Sequence, residues 1–227
     1  MSAVLERRPG VTDRAAASRG QTRIGRLCST CVQQTEVDGG GVAVLTSHQL
    51  PVLLHASDDV ARAVEDLQFM LGAGPSVDAA ATRTPVLVPD TRARTDQTER
   101  WPGLCTELDA LEVRALFAFP ISVGDVSLGT LDLYRSAPGE LDDAKVDFCA
   151  ATGSAIADSL LKRRSDTDWM YPMTVHRAAG MVMVQLSVSV DDALARIRAT
   201  AYEEGVTVAA VAAEVLDGTR RFREGPA

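Results

Sequence analysis

The chain has 227 residues, room for one large domain or for a medium one followed by a small one, and its 46% hydrophobic content is that of a folded protein. A net charge of −8, with Lys145 and Lys162 as the only lysines, excludes a generic polyanion binder and confines any nucleic-acid role to a local patch. Apolar runs stay short of the roughly 18 residues of a membrane span, residues 1–20 lack the apolar core of a signal peptide, and the scattered cysteines do not make a disulfide scaffold, so a cytoplasmic protein without a membrane partner is expected.

Residues 1–20, rich in Arg, Ala, Ser and Gly, read as a disordered arm ahead of a body over 21–164. Residues 24–35 place apolar side chains at helical spacing until Gly39-Gly-Gly41 breaks the pattern. Residues 41–46 and 52–56 read as two strands about a turn at 47–51. A helix over 58–71 follows, with Val60, Val64, Leu67 and Leu71 in one stripe, Ser57 as its N-cap and Gly72 as its stop. Residues 86–88 make a short strand between Pro85 and Pro89, and 91–106 reads as a polar loop carrying Trp101 and Pro102. Over 115–123, Phe117, Phe119, Ile121 and Val123 share one face of a strand, which turns at Gly124-Asp125 into a partner strand over 126–134. A long helix over 142–164 opens with a hydrophobic staple between Leu141 and Val146. Its small residues Ala150, Ala151, Ser154, Ala155 and Ala157 leave room for another helix, and a polar linker is expected over 165–172.

The C-terminal module, 173–227, holds three short amphipathic patterns: 175–186, 191–201 after the cap Ser189, and 208–216 after the cap Thr207. In the first, Val175, Ala179, Val182, Met183 and Leu186 form a stripe, yet Ala178, Met181 and Val184 are apolar too. A helix apolar nearly all round is buried on more than one side, so the 142–164 helix or a second subunit is expected to cover it. The second turns Ala193, Leu194, Ile197 and Ala201 inward, and the third Val208, Val211, Ala212 and Val215. The fold class is therefore α+β: an antiparallel sheet flanked by helices, then an all-α three-helix module.

Catalytic chemistry finds little support. Cys28 and Cys31 have C-x-x-C spacing but no second pair for zinc, and at i and i+3 they share a helix face as packing thiols would. Of the three histidines, His48, His55 and His176, His55 lies in a strand and reads as a structural histidine rather than a haem ligand. No Gly-rich loop ending in Lys-Ser or Lys-Thr is present, and no Ser-His-Asp or Cys-His set. No enzyme, metal or identified cofactor is expected.

Particular words carry a resemblance. Asp66-Leu-Gln-Phe-Met-Leu-Gly-Ala-Gly-Pro75, Pro85-Val-Leu-Val-Pro-Asp90, Arg100-Trp-Pro102, Phe117-Ala-Phe-Pro-Ile121 and Leu128-Gly-Thr-Leu-Asp-Leu-Tyr-Arg135 resemble the GAF domain of actinobacterial GAF–ANTAR regulators. Ala179-Gly180-Met181, Met183, Ala193, Arg198 and the Val211-Ala212 segment resemble an ANTAR domain, the RNA-binding module of transcription antitermination regulators. The resemblance implies a sensor for a small-molecule effector, with a pocket walled by Phe69, Ser76, Asp78, Trp101, Phe117 and Phe119, unless the phenylalanines are plain core. The ligand is unknown, and the Asn-Lys-Phe-Asp-Glu motif of cyclic-nucleotide GAF domains is absent. It also implies that RNA stem-loops are contacted by His176, Arg177, Gly180, Arg196 and Arg198. A homodimer is expected through Ile156, Leu160, Ala178, Met181 and Val184. Ala179 stands where such domains often have lysine, and Gly205-Val-Thr-Val208 where they often have basic residues. The other readings are a protein–protein signalling dimer without RNA affinity, and a GAF-type thiol oxidoreductase using Cys28 and Cys31.

Overall fold

The computed structural model of the protein describes residues 22–45, 51–93, 95–162 and 173–223. The expected N-terminal arm, the 165–172 linker, His48 and most of the 47–51 turn lie outside them. The described residues divide into two compact units, with the break between 162 and 173.

The first unit is built on a five-stranded antiparallel sheet of order β2-β1-β5-β4-β3, formed by β1 (Gly39–Leu45), β2 (Pro51–Ala56), β3 (Val86–Val88), β4 (Ala115–Val123) and β5 (Val126–Arg135). On one face, Val42, Val44, Phe117, Phe119, Ile121, Leu131 and Leu133 pack with Ile24, Cys28 and Cys31 of α1 (Arg23–Thr35) and with Cys149, Ile156 and Leu160 of α6 (Asp143–Lys162). On the other, Leu116, Ala118 and Tyr134 pack under α2 (Asp59–Leu71), α3 (Pro75–Thr82) and α5 (Pro102–Ala110), with Trp101 and Leu104 filling the far edge; α4 (Asp96–Glu99) is a single turn beside α5. Central strands covered on both sides read as nearly continuous apolar runs, and β4 is one.

Caps and turns follow the chemistry of their residues. Thr22 caps α1 by accepting from the Gly25 amide. The cap of α2 is Asp58, which accepts from the Ala61 amide at 2.7 Å; Ser57, expected as the cap, instead accepts from the Gly40 amide and donates to Asp58, joining helix and strand. Asp142 caps α6 through the Lys145 amide, with Leu141 and Val146 both packed on the sheet as a staple requires. At Gly129, φ is 155°, and a Cβ there would stand 2.1 Å from the Ala43 carbonyl oxygen, so β1 and β5 close up only because that position has no side chain.

Three expectations change. The segment read as a polar loop over 91–106 contains α4 and the start of α5, and α3 forms between Gly72 and the 86–88 strand, where the sequence suggested no element. Both α3 and α5 begin at a proline, which pre-sets the first helical φ, and both are too short to show a stripe. Val123 leaves the Phe117–Phe119–Ile121 face: a bulge between Ile121 and Ser122 shifts the register, and Val123 is 43% exposed. Ile156 and Leu160, expected at a dimer seam, are instead taken up by the core beneath the sheet. The outward side of α6 carries Phe148, Ala151, Ala155 and Leu161.

The second unit is a three-helix module of α7 (Met173–Leu186), α8 (Val190–Glu204) and α9 (Val208–Asp217). Ser189 and Thr207 cap α8 and α9 by accepting from Asp192 and Ala210 amides, and Gly205 and Gly218 end them in left-handed conformation. Val175, Ala178, Ala179, Val182 and Leu186 of α7 are buried against the inward residues of α8 and α9. Ala178 thus lies inside, not on an outward interface, and Met183, expected in the stripe, is on the surface with Met181 and Val184. The 100° step per residue explains the exchange: 175, 178, 179, 182 and 186 fit one face, and 183 falls outside it.

Truncating Ile156 to alanine should lower the unfolding free energy by about 2–5 kcal/mol, whereas Leu161→Ala on the outward side should change it by less than about 0.5 kcal/mol. Urea melts of the two variants check the orientation of α6, and equal losses would contradict it.

Candidate functional site

The candidate nucleic-acid face is the outer side of α7 and α8. Arg177 and Arg196 are exposed, His176 is half-buried, and among the described residues no hydrogen bond or ion pair holds Arg177 or Arg196. Arg198 is different. It is half-buried, its burial pushes the guanidinium below the usual arginine value, and the carboxylate of Asp191 acts in the opposite direction. Two acids that could have neutralised the face are already engaged: Arg220 holds Glu204 through both carboxylate oxygens and Glu214 through Nε, at 2.7–2.8 Å. A groove of about 530 Å³ opens on α7 between Arg177, Gly180, Met181, Val184, Gln185 and Leu216. A Cβ placed on Gly180 would meet nothing within 4 Å, so this glycine leaves the groove floor bare.

In the sensor unit the six residues expected around one pocket are not brought together. Phe117 and Phe119 lie on the α1/α6 face of the sheet, Trp101 on the opposite face. A sheet stands between them, so they cannot line one cavity, and the two phenylalanines are core. Asp78 pairs with Arg100 at 2.6 Å, and that guanidinium lies 5.1 Å over the Trp101 ring, which fixes the loop to α3. Phe69 is half-buried on α2.

Ser76 leads to a cluster that the sequence reading missed. Its hydroxyl lies 2.7 Å from that of Thr130, and its amide donates to Gln68 Oε1 at 2.8 Å. Beside them Glu65 of α2 and Asp132 of β5 are buried together. Gly41 pairs opposite Asp132 in the sheet, and a Cβ there would stand 2.9 Å from Glu65 Oε1, so the bare strand position makes room for the Glu65 carboxyl. The space beside the pair, lined also by Gly40, Ala61, Val64, Leu116 and Tyr134, is too narrow for a water-sized group. Burial pushes both acids up, Asp132 to about 6 and Glu65 well above the carboxylate range, where the Asp132 charge raises it further. Two carboxyls in contact away from water share a proton, because neither the second charge nor its desolvation is compensated. Thr130 and Asp132 alternate with Leu131 and Leu133, and a period-two reading assigns such a polar row to solvent; α2 and α3 cover it instead.

The thiols also pair differently from their spacing. Cys31 and Cys149 meet at 3.7 Å between α1 and α6, and Cys28 lies one turn away; all three are buried. The contact with Cys149 holds the Cys31 thiol below its ordinary value, while burial pushes Cys28 up to about 12. His55 packs against Gly25 of α1, and burial lowers its pKa, as for a structural histidine.

An acid that ionises at a higher pH in the folded chain than in the unfolded one favours folding below its unfolded pKa, and that stability is lost as pH rises through the folded value. Asp132 therefore contributes below about pH 4 and loses that contribution through about 6, and Glu65 extends the loss upward. The neutral double variant Glu65→Gln with Asp132→Asn should gain on the wild type as pH rises from about 4 to 7. Urea melts across that range test this, and a constant difference between the two proteins would refute the shared proton.

A GAF domain family model matches residues 21–160, and an ANTAR domain model matches residues 173–216. No curated protein matches the chain. Among solved structures it is similar to the GAF domain region of a membrane protein from Geobacter sulfurreducens, at 14% identity over 60% of this chain and 89% of that one, TM-score 0.49. It is also similar to the photoproduct state of GAF3 from Slr1393 of a Synechocystis species, at 18% identity over 62% and 95%, TM-score 0.44. A third is the type II free methionine-R-sulfoxide reductase of Thermoplasma acidophilum, at 12% identity over 60% and 89%, TM-score 0.43. No single helix among the described residues is long and apolar enough to cross a membrane. The GAF match spans more than half of the sequence and the ANTAR match follows it in order, so the chain belongs to the GAF-domain family and carries an ANTAR domain as its C-terminal module.

Proposed function

We propose that this protein is a cytoplasmic transcription regulator that acts by antitermination: its ANTAR module binds RNA stem-loops, and its GAF domain sets when it does so. The observation that carries the reading is the pair of exposed arginines, Arg177 and Arg196, on a module of this family whose nearby acids Glu204 and Glu214 are held by Arg220. Guanidinium groups in that setting fork hydrogen bonds to phosphates and base edges, and single-stranded loop bases are the part of a hairpin that a protein can read. Arg198, half-buried beside Asp191, serves the module's own packing first. A two-hairpin target calls for two copies of the module. Phe148 and Leu161, exposed on α6, are apolar surface open to a second sensor domain. The buried position of Cys28, Cys31 and Cys149 favours the regulator over a thiol oxidoreductase.

Titration of the full chain against a panel of two-hairpin RNAs tests the proposal. Arg177→Ala and Arg196→Ala should each weaken binding and lower the salt slope by about 0.7–0.9 if the contact is to phosphate, with melting unchanged. Arg198→Ala should chiefly lower the melting temperature. No binding to any member of the panel, with a dimer by light scattering, would leave the protein–protein signalling dimer as the function.

A further inference from the structure

The ANTAR match ends at Leu216, yet the chain beyond it is ordered onto the module. Gly218, at φ 82°, turns the chain. Thr219 donates to Asp217 and to the Glu214 carbonyl, and the Arg220 amide donates to the same carbonyl at 2.9 Å. Arg220 then spans α8 and α9 through Glu204 and Glu214, and the Phe222 amide donates to Gln185 Oε1 at 2.9 Å. These bonds fold residues 218–223 back onto α7. Along this stretch Arg220 and Phe222 are partly buried, while Arg221 and Arg223 are exposed, and among the described residues nothing pairs with either.

Gln185, which anchors the tail, is also a wall of the α7 groove. Arg177 stands at the other end, eight residues or about 12 Å along the helix. The groove thus has an apolar floor at Gly180, Met181 and Val184, the last 75% exposed, with Arg177 in its wall and the tail that carries Arg221 and Arg223 anchored at Gln185. Its charge fits a polyanion that also offers flat apolar faces, which is a single-stranded stretch of RNA.

We propose that the tail 218–223 is the second wall of the RNA site: Arg221 and Arg223 hold phosphates of a hairpin loop while a loop base lies on the floor at Gly180. This rests on the RNA-binding reading above and places contacts outside the matched ANTAR segment. Arg220 positions the wall, and its single positive charge offsets one of the two negative charges of Glu204 and Glu214.

The test uses the full chain and the tightest-binding member of a two-hairpin RNA panel, titrated at two salt concentrations. Arg221→Ala with Arg223→Ala should weaken binding about tenfold or more and lower the salt slope by about 1.4, with melting unchanged, and the Arg221→Lys with Arg223→Lys variant should recover the slope. Val184→Ser should weaken binding without changing the salt slope. If the double alanine variant binds like the wild type while Arg177→Ala weakens binding, the tail wall is wrong and the RNA reading stands. If the wild type binds no RNA, both fall. If Val184→Ser alters the oligomeric state by light scattering and leaves RNA affinity unchanged, the groove is an interface between copies and the proposal is overturned.

Discussion

β4 and β5 are covered on both faces over 115–121 and 129–134, so the side chains there have to find their partners inside the protein. One face meets the demand with hydrocarbon: Phe117, Phe119, Ile121, Leu131 and Leu133 against α1 and α6. The other carries Thr130 and Asp132, which need polar partners from the helices that cover them, and receive Ser76 from α3 and Glu65 from α2. The same constraint sets the glycines. Gly41 leaves space for the Glu65 carboxyl, and Gly129 lets β1 close on β5. A carboxyl pair in such a place makes the interior sensitive to protonation, because a buried second charge has no compensating cation among the named partners.

Much of this fold was legible because its signals are local. The α2 stripe, the β4–β5 hairpin, the Leu141–Val146 staple and the caps Ser189 and Thr207 each depend on residues within one or two turns of one another. What was not legible depends on residues far apart. That Asp132 is interior follows from helices α2 and α3, fifty or more residues earlier in the chain, and α3 was itself hidden by its shortness. Cys31 meets Cys149 across 118 positions, so the C-x-x-C spacing pointed to the wrong neighbour. The bulge at Ile121/Ser122 moved Val123 off its face without any glycine or proline to announce it.

The site on the ANTAR module shows the same division. Which residues are basic could be read directly, and the family words located the module. Which arginines are available could not, since that depends on who holds the acids. Arg198 matches the family pattern yet is half-buried beside Asp191, whereas Arg220, outside the matched segment, binds two carboxylates at once. An arginine with three short charge-assisted bonds is structural, and it occupies two carboxylates that other arginines could otherwise have paired with.

A chain of net charge −8 can still present a cationic face because charge acts locally in salt water. At physiological ionic strength the Debye length is about 8 Å, so a solvent-exposed carboxylate several such lengths from the groove contributes little to the field there. Glu204 and Glu214 are partly offset, since the one guanidinium of Arg220 holds both. Long-range attraction between such a protein and RNA is correspondingly weak. In the proposed RNA site, recognition then rests on contacts made at close range, at the apolar floor around Gly180 and at Arg177 beside it, rather than on total charge.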